Sequence, residues 1–293
     1  LQTFYKTFPF LEIDALVEYF SFFGGVEEHI GIDAFAGLEA NIQDQLLDKF
    51  EEISSYLTPS YLLEEPYRKL LISIARGDGK MFNVFRRARL NESAGGQMIN
   101  ELAEIGIVRV EESREPPLVR VAGQEIPKEL RGYRIQSKVR FVLPFHRFWF
   151  GFIEPYRHNL ERGDDGQFWD NFRQHKDRAQ SLIFEQLSND LLVDMFFGSD
   201  PIISYGSWWD RKSEYDLLAL SASGKVILGE CKYKGRKITK AELTKLKDKA
   251  DNTGIKVDRY VLFSRNGFSG ELYGMEDENL MLKDISDYKT LLG

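Results

Sequence analysis

The stretch that most limits what this chain can fold into is SEYDLLALSASGKVILGECK, residues 213–232: two β-forming runs separated by Ala222-Ser223-Gly224. A three-residue hairpin loop needs a residue in the left-handed region, and Gly224 supplies it, so Ser221 pairs with Lys225. Counting inward, Asp216 falls opposite Glu230 and Glu214 opposite Lys232. Side chains alternate along a strand, so all four share one face at the end remote from the turn. A two-residue turn would send Asp216 to the wrong face.

Both faces of these strands are otherwise apolar, with Leu218, Leu220, Val226 and Leu228 on one and Leu217, Ala219, Ile227 and Cys231 on the other. Strands of that kind are expected in the middle of a sheet, covered on both sides. Carboxylates and a lysine there are costly unless they pair or bind a cation. Two readings stay open on the residues alone. One is a buried Asp/Glu/Lys network. The other is a site for Mg²⁺ (or Mn²⁺), a hard ion that takes oxygen ligands and keeps several waters. In that site Lys232 would position the attacking water or offset charge in a phosphodiester transition state. The spacing D-x13-E-x-K alone is a weak pattern; the turn gives it a register.

A single cysteine excludes a disulfide framework and a cysteine-based zinc site, and His146 and His158 have no partner at ligand spacing. No apolar run reaches the roughly 18 residues of a membrane span, so a cytoplasmic protein without a membrane partner is expected. The net charge of −7 is unevenly spread: −11 over residues 1–65, +7 over 66–150 and −3 over 151–293. A basic middle keeps nucleic acid among the candidate partners despite the acidic total.

Before the hairpin the chain reads as helices. LEIDALVEYFSFF carries Leu11, Ala15, Leu16, Tyr19 and Phe20 at helical spacing and stops at Gly24-Gly25. A second helix is expected over Leu38–Tyr56, with Leu46, Leu47, Phe50 and Ile53 on one side. YRKLLISIA and MFNVFRRAR follow as helices, then turn residues Asn91 to Gly96 and a third helix, QMINELAEIGI. VRVEES and RGYRIQ read as strands around a Pro/Gly-rich loop. Three helices, strand, loop and strand make a winged helix, a DNA-binding module. Its third helix offers Gln97 and Asn100 to base edges but also Glu92, Glu101 and Glu104. The basic groups Arg86, Arg87 and Arg114 lie elsewhere, which favours phosphate contacts over base reading. The aromatics of residues 139–160 are expected to pack between two lobes.

After the turn GDDG, a long helix with a Leu182, Ile183, Leu187, Leu191, Leu192 stripe precedes PIISYGSWW, the hairpin, a helix capped by Thr239 and Glu242, and DRYVLFSR. The expectation is an α/β chain: a helical segment over 1–62, a winged helix with aromatic connector over 63–160, and a mixed-sheet domain over 161–293. Lys234, Arg236, Lys237 and Lys240 follow the carboxylates directly, where a phosphate backbone would lie.

SEYDLLA and VILGECKYK resemble the core of the PD-(D/E)XK nuclease superfamily, especially its Holliday-junction-resolvase-like branch. The resemblance implies a restriction-endonuclease-like fold, Mg²⁺ or Mn²⁺, and DNA cleavage, with Asp216, Glu230 and Lys232 in the three motif positions. It also implies that Glu185, in LIFEQL, is the helix glutamate and that Cys231 lends its backbone carbonyl to the metal. GGVEEHI, YLLEEPYRKLLISIA, LAEIGIVRVEESREP, RFWFGFIEPYR, GSWWDR and GECKY are together similar to the lid, winged-helix and C-terminal nuclease-like region of archaeal-type AAA ATPases. No GxxxxGK[ST] is present, so any ATPase is expected as a separate protein or an upstream segment. The expected function is a metal-dependent DNA endonuclease, with a homodimer compatible. The alternative is a non-catalytic DNA-binding or ATPase-accessory module on a nuclease scaffold.

Overall fold

The computed structural model describes residues 1–113, 135–210, 213–275 and 277–293. Contacts within the chain separate two units, one of residues 1–110, 138–183 and 291–293, the other of 111–137 and 184–290.

In the first unit the helix Ile13–Phe23 ends at Gly24, whose N–H bonds the Phe20 carbonyl. The single helix expected over Leu38–Tyr56 is instead broken into Gly37–Ile42, a π-helical turn Gln43–Leu47, and Phe50–Ser55. Lys49 leaves helical geometry at φ −110°, ψ 24°. Leu46, Phe50 and Ile53 are all buried across the break, so the apolar spacing survives it and periodicity does not report it.

The helices Tyr67–Arg76, Met81–Ala88 and Glu92–Glu104 follow. The third starts earlier than expected: Asn91 caps it, accepting from the Ala94 N–H at 2.8 Å. Gly95 and Gly96 therefore lie inside the helix, not in a turn. Gly95 is there for packing, because a Cβ would stand 2.5 Å from the Phe85 ring. Strand β1 (Val108–Glu111) pairs with β2 (Lys138–Phe141). The described partner strand is KVRF; the strand expected over RGYRIQ falls on residues of which 131–134 lie outside the described residues.

Phe145, Phe148, Trp149, Phe150 and Phe152 are buried. Phe148 meets Phe22 at 5.3 Å and Phe172 at 6.0 Å between ring centroids, and Trp149 stacks on Phe50 at 5.5 Å. All of these rings belong to the first unit, so the aromatic segment forms one unit's interior where packing between lobes was expected.

The second unit is built on a five-stranded sheet ordered β3 (Ile202–Trp209), β4 (Glu214–Ser221), β5 (Val226–Lys232), β6 (Arg259–Ser264), β7 (Leu280–Asp284). The first three strands run antiparallel and the last three parallel. This is the mixed α/β architecture expected. The helix Lys240–Thr253 makes the crossover from β5 to β6. It starts with the Thr239–Glu242 capping box, the Thr239 N–H donating to the carboxylate at 3.0 Å. Leu243, Leu246 and Ala250 pack on Leu228, Leu262 and Tyr215 on one sheet face. On the other face, Phe184 of the long helix Gly166–Phe196 packs on Tyr233 and Tyr288. Among the described residues no helix is long and apolar enough to cross a membrane.

Candidate active site

The hairpin has the register its turn demands. Ser221 bonds Lys225 at 3.0 Å, Gly224 sits at φ +84°, and the ladder runs from Leu220↔Val226 to Leu217↔Gly229. Asp216 and Glu230 come just past the last of these pairs, close enough for the Glu230 charge to act on Asp216. There the regular pattern stops. Gly206 faces Leu218 but Trp208 faces Tyr215, so Asp216 and Leu217 together oppose Ser207 alone. This is a β-bulge in β4, a device that re-aims side chains and ends pairing.

The bulge reassigns one backbone donor. A continued ladder would give the Cys231 N–H to Tyr215 as the next hydrogen-bonded pair. Instead it donates to Asp216 Oδ2 at 2.9 Å. By the same alternation the Cys231 carbonyl faces β4, on the side of Asp216. The Cys231 side chain turns the other way, into the face covered by the long helix. Its thiol is buried, and that burial pushes its pKa well up, in keeping with a backbone role only.

Asp216 and Glu230 are both half-buried. Burial and then the Glu230 charge push the Asp216 carboxyl up to about 6, against the pull of the Cys231 N–H, Lys232 and Lys249. The Lys232 ammonium donates to Glu230. Burial lowers the Lys232 pKa, but Glu230 and Asp216 outweigh it and hold the group above its ordinary value. Two carboxylates beside one ammonium carry surplus negative charge at a half-buried position. That is an electrostatic fit to a divalent cation, with Asp216, Glu230 and the Cys231 carbonyl as oxygen donors. Among the described residues no group of three His, Cys, Asp or Glu side chains is arranged to hold a metal ion, so a third ligand would come from backbone or water.

The full double-sided cover expected of both strands is met on β5 better than on β4, where Leu218 is half-buried and Leu220 is 36% exposed. Glu185 is half-buried on the helix covering the opposite face. Its charge acts on the Cys231 thiol. The structure therefore brings together Asp216, Glu230, Lys232 and the Cys231 backbone, with the Glu185 charge felt at Cys231.

Lys234, Arg236, Lys237 and Lys240 are all exposed just past β5. Arg236 approaches Glu242 at 3.9 Å and Lys240 pairs with Glu271 at 3.3 Å. In the first unit Arg86, Arg87 and Gln97 are exposed. Arg87 donates to the Arg76 carbonyl at 3.3 Å, which ties it to a helix end. Arg114 lies outside the described residues.

Sequence reasoning missed two parts of the site. The bulge has no local signature, since Asp216 and Leu217 both fit a regular alternation. Lys249 is carried by its helix back over the Tyr215 ring at 4.5 Å and donates to the Glu214 carbonyl. Lysines four residues apart share a helix face, a signal that would have separated Lys245 and Lys249 from Lys247.

Residues 149–246, which include the hairpin, match a family model, DUF234, described as archaea bacterial proteins of unknown function. An uncharacterized protein of Methanocaldococcus jannaschii is 24% identical over 240 residues, 78% of this chain and 50% of that protein. The chain thus spans about half the length of the curated relative it matches. No solved structure matches it.

Proposed function

We propose that the second unit is a metal-dependent phosphodiesterase of the PD-(D/E)XK type, and that its substrate is DNA, cut as by an endonuclease. The observation that carries this reading is the Glu230 charge acting on Asp216, with Lys232 bonded to Glu230 and the Asp216 carboxyl raised to about 6. A perturbed carboxylate beside a second carboxylate and a lysine is what hydrolytic metal sites require.

Asp216, Glu230 and the Cys231 carbonyl would hold Mg²⁺ or Mn²⁺. The ion, when bound, supplies Lewis-acid polarisation of the phosphate and a more acidic water. Glu230 anchors the Lys232 ammonium, which orients the nucleophilic water and offsets charge gained by the phosphate oxygens. Asp216, fixed by the Cys231 N–H, keeps one carboxylate oxygen for the cation. Lys234, Arg236, Lys237 and Lys240 would take neighbouring phosphates, and Arg86, Arg87 and Gln97 would serve the winged-helix arm. The reading places the protein in the cytoplasm, with a separate ATPase as a further partner.

That no three His, Cys, Asp or Glu side chains among the described residues are grouped to hold a metal ion favours a second reading, a nuclease scaffold that binds DNA without cutting it. Incubation with plasmid, single-stranded and branched DNA plus Mg²⁺ or Mn²⁺ tests the two. The catalytic reading expects cleavage by the wild type and a loss of at least a hundredfold in Asp216→Asn and Lys232→Ala, the scale of losing one charge-stabilising group (~10²–10³). Intact substrate in every lane, or equal cutting by the variants, supports the scaffold.

A further inference from the structure

A second concave site lies wholly within the first unit. It is a cavity of about 200 Å³ with a floor of small residues, Ala75, Gly151 and Ala179. Its walls carry Arg76, Arg147 and Arg178, with His175 at the edge and no acidic residue among its lining. The three arginines come from three segments: the end of the helix Tyr67–Arg76, the aromatic segment, and the long helix.

Part of this arrangement is helix capping. The last carbonyls of the helix and its cap accept from guanidinium groups: Ala75 from Arg147 at 3.5 Å and Gly77 from Arg178 at 3.2 Å. Arg76 in turn donates to the Tyr156 hydroxyl at 2.9 Å and to Asn171 Oδ1 at 3.2 Å. Capping does not account for the rest. The guanidinium groups of Arg76 and Arg178 have five N–H donors each, and these bonds use one or two. The acceptors of Arg76 and Arg178 are neutral, so they orient the planar groups without cancelling their charge. Arg147 is 8% exposed, which places a cation in the least hydrated part of the wall, where charge interactions are strongest.

The cavity's size limits its occupant. Its volume is below the roughly 300–1,000 Å³ of pockets for drug-sized ligands. At about 30 Å³ per water it corresponds to six or seven water molecules, which suits a tetrahedral oxyanion with a small substituent. Guanidinium forks match phosphate oxygens in pairs.

We propose that this cavity is a binding site for a phosphate group, taken as inorganic phosphate or as the end of a phosphate monoester, and gripped by Arg76 and Arg178. It does not depend on the metal-site reading, whose residues all belong to the other unit.

Calorimetric titration of the full chain with inorganic phosphate, at constant ionic strength set with sodium chloride, tests this. One saturable site is expected. Arg76→Gln and Arg178→Gln alter exposed side chains and should each weaken binding on the order of tenfold or more, as loss of a charge-assisted hydrogen bond does. Arg173→Gln, exposed on the same long helix and paired with Glu39 at 3.0 Å, should leave binding unchanged. Parallel titrations with a nucleoside monophosphate and with glycerol phosphate identify the source: tighter binding of either supports a monoester end, and equal binding makes phosphate itself sufficient. Absence of a saturable site in the wild type overturns the proposal. So does equal weakening by Arg173→Gln, or no weakening by Arg178→Gln.

Discussion

Each unit holds one carboxylate in a tight place, and the two are treated oppositely. Glu154, in the first unit, is fully buried and surrounded by donors: Arg68 at 2.6 Å, Arg157 at 2.8 Å and the Trp149 indole at 2.9 Å. Asp216, in the second, has a backbone N–H at 2.9 Å and another carboxylate beside it. A carboxylate with donors on several sides is satisfied by the protein, and its role is to hold segments together. One set against a like charge is left with a demand the chain only partly meets, and a cation relieves it.

The largest expected effect tests the structural half of the contrast. Glu154→Ala removes the acceptor shared by two arginines and a tryptophan and should cost about 3–5 kcal/mol in urea denaturation. A loss below about 1 kcal/mol would make Glu154 no more structural than a surface pair.

Next comes pH, where the units should lean in opposite directions. Burial pushes His146 down to about 4, and its Nδ1 has no hydrogen-bond partner among the described residues. Below pH 6.5 the unfolded chain takes up a proton that the folded chain refuses until about pH 4. Stability of the first unit therefore falls by about 3 kcal/mol as pH drops through that window and is retained above it. His146→Leu should flatten the dependence, read from denaturation midpoints at pH 4.5 and 7.

Asp216 has the reverse sign and a smaller effect. Its folded carboxyl stays protonated up to about 6 while the unfolded one ionises near 3.8, so its contribution is present below pH 4 and lost as pH rises through 6. Asp216→Asn should leave stability at pH 7 unchanged or raise it by about 1 kcal/mol. A clear destabilisation would place Asp216 with Glu154 and erase the contrast.

How much of this was legible in the sequence follows from range. The hairpin register was readable because one glycine in a three-residue loop determines it, and the Thr239–Glu242 cap because both members lie within one turn. The mixed sheet followed from strand runs and a crossover helix. The helix over residues 38–56 misled because its apolar spacing is the same with or without a π turn. Gly95 misled because its reason, the Phe85 ring, lies ten residues away in another helix. The Glu154 cluster was invisible for a similar cause, since Arg68 is 86 positions distant. In the site itself, the nearness of Asp216 to Glu230 was legible, whereas the bulge that re-aims Asp216 depends on β3, a strand whose register no local signal reveals.

Calorimetric titration with Mn²⁺ at pH 7.5, in the absence of DNA, tests the central claim most directly. The account predicts one saturable site per chain, lost in Asp216→Asn and retained in Glu185→Gln, because only the first removes a member of the carboxylate pair. A wild type that takes up no ion, or an Asp216→Asn variant that binds Mn²⁺ as tightly, would contradict it.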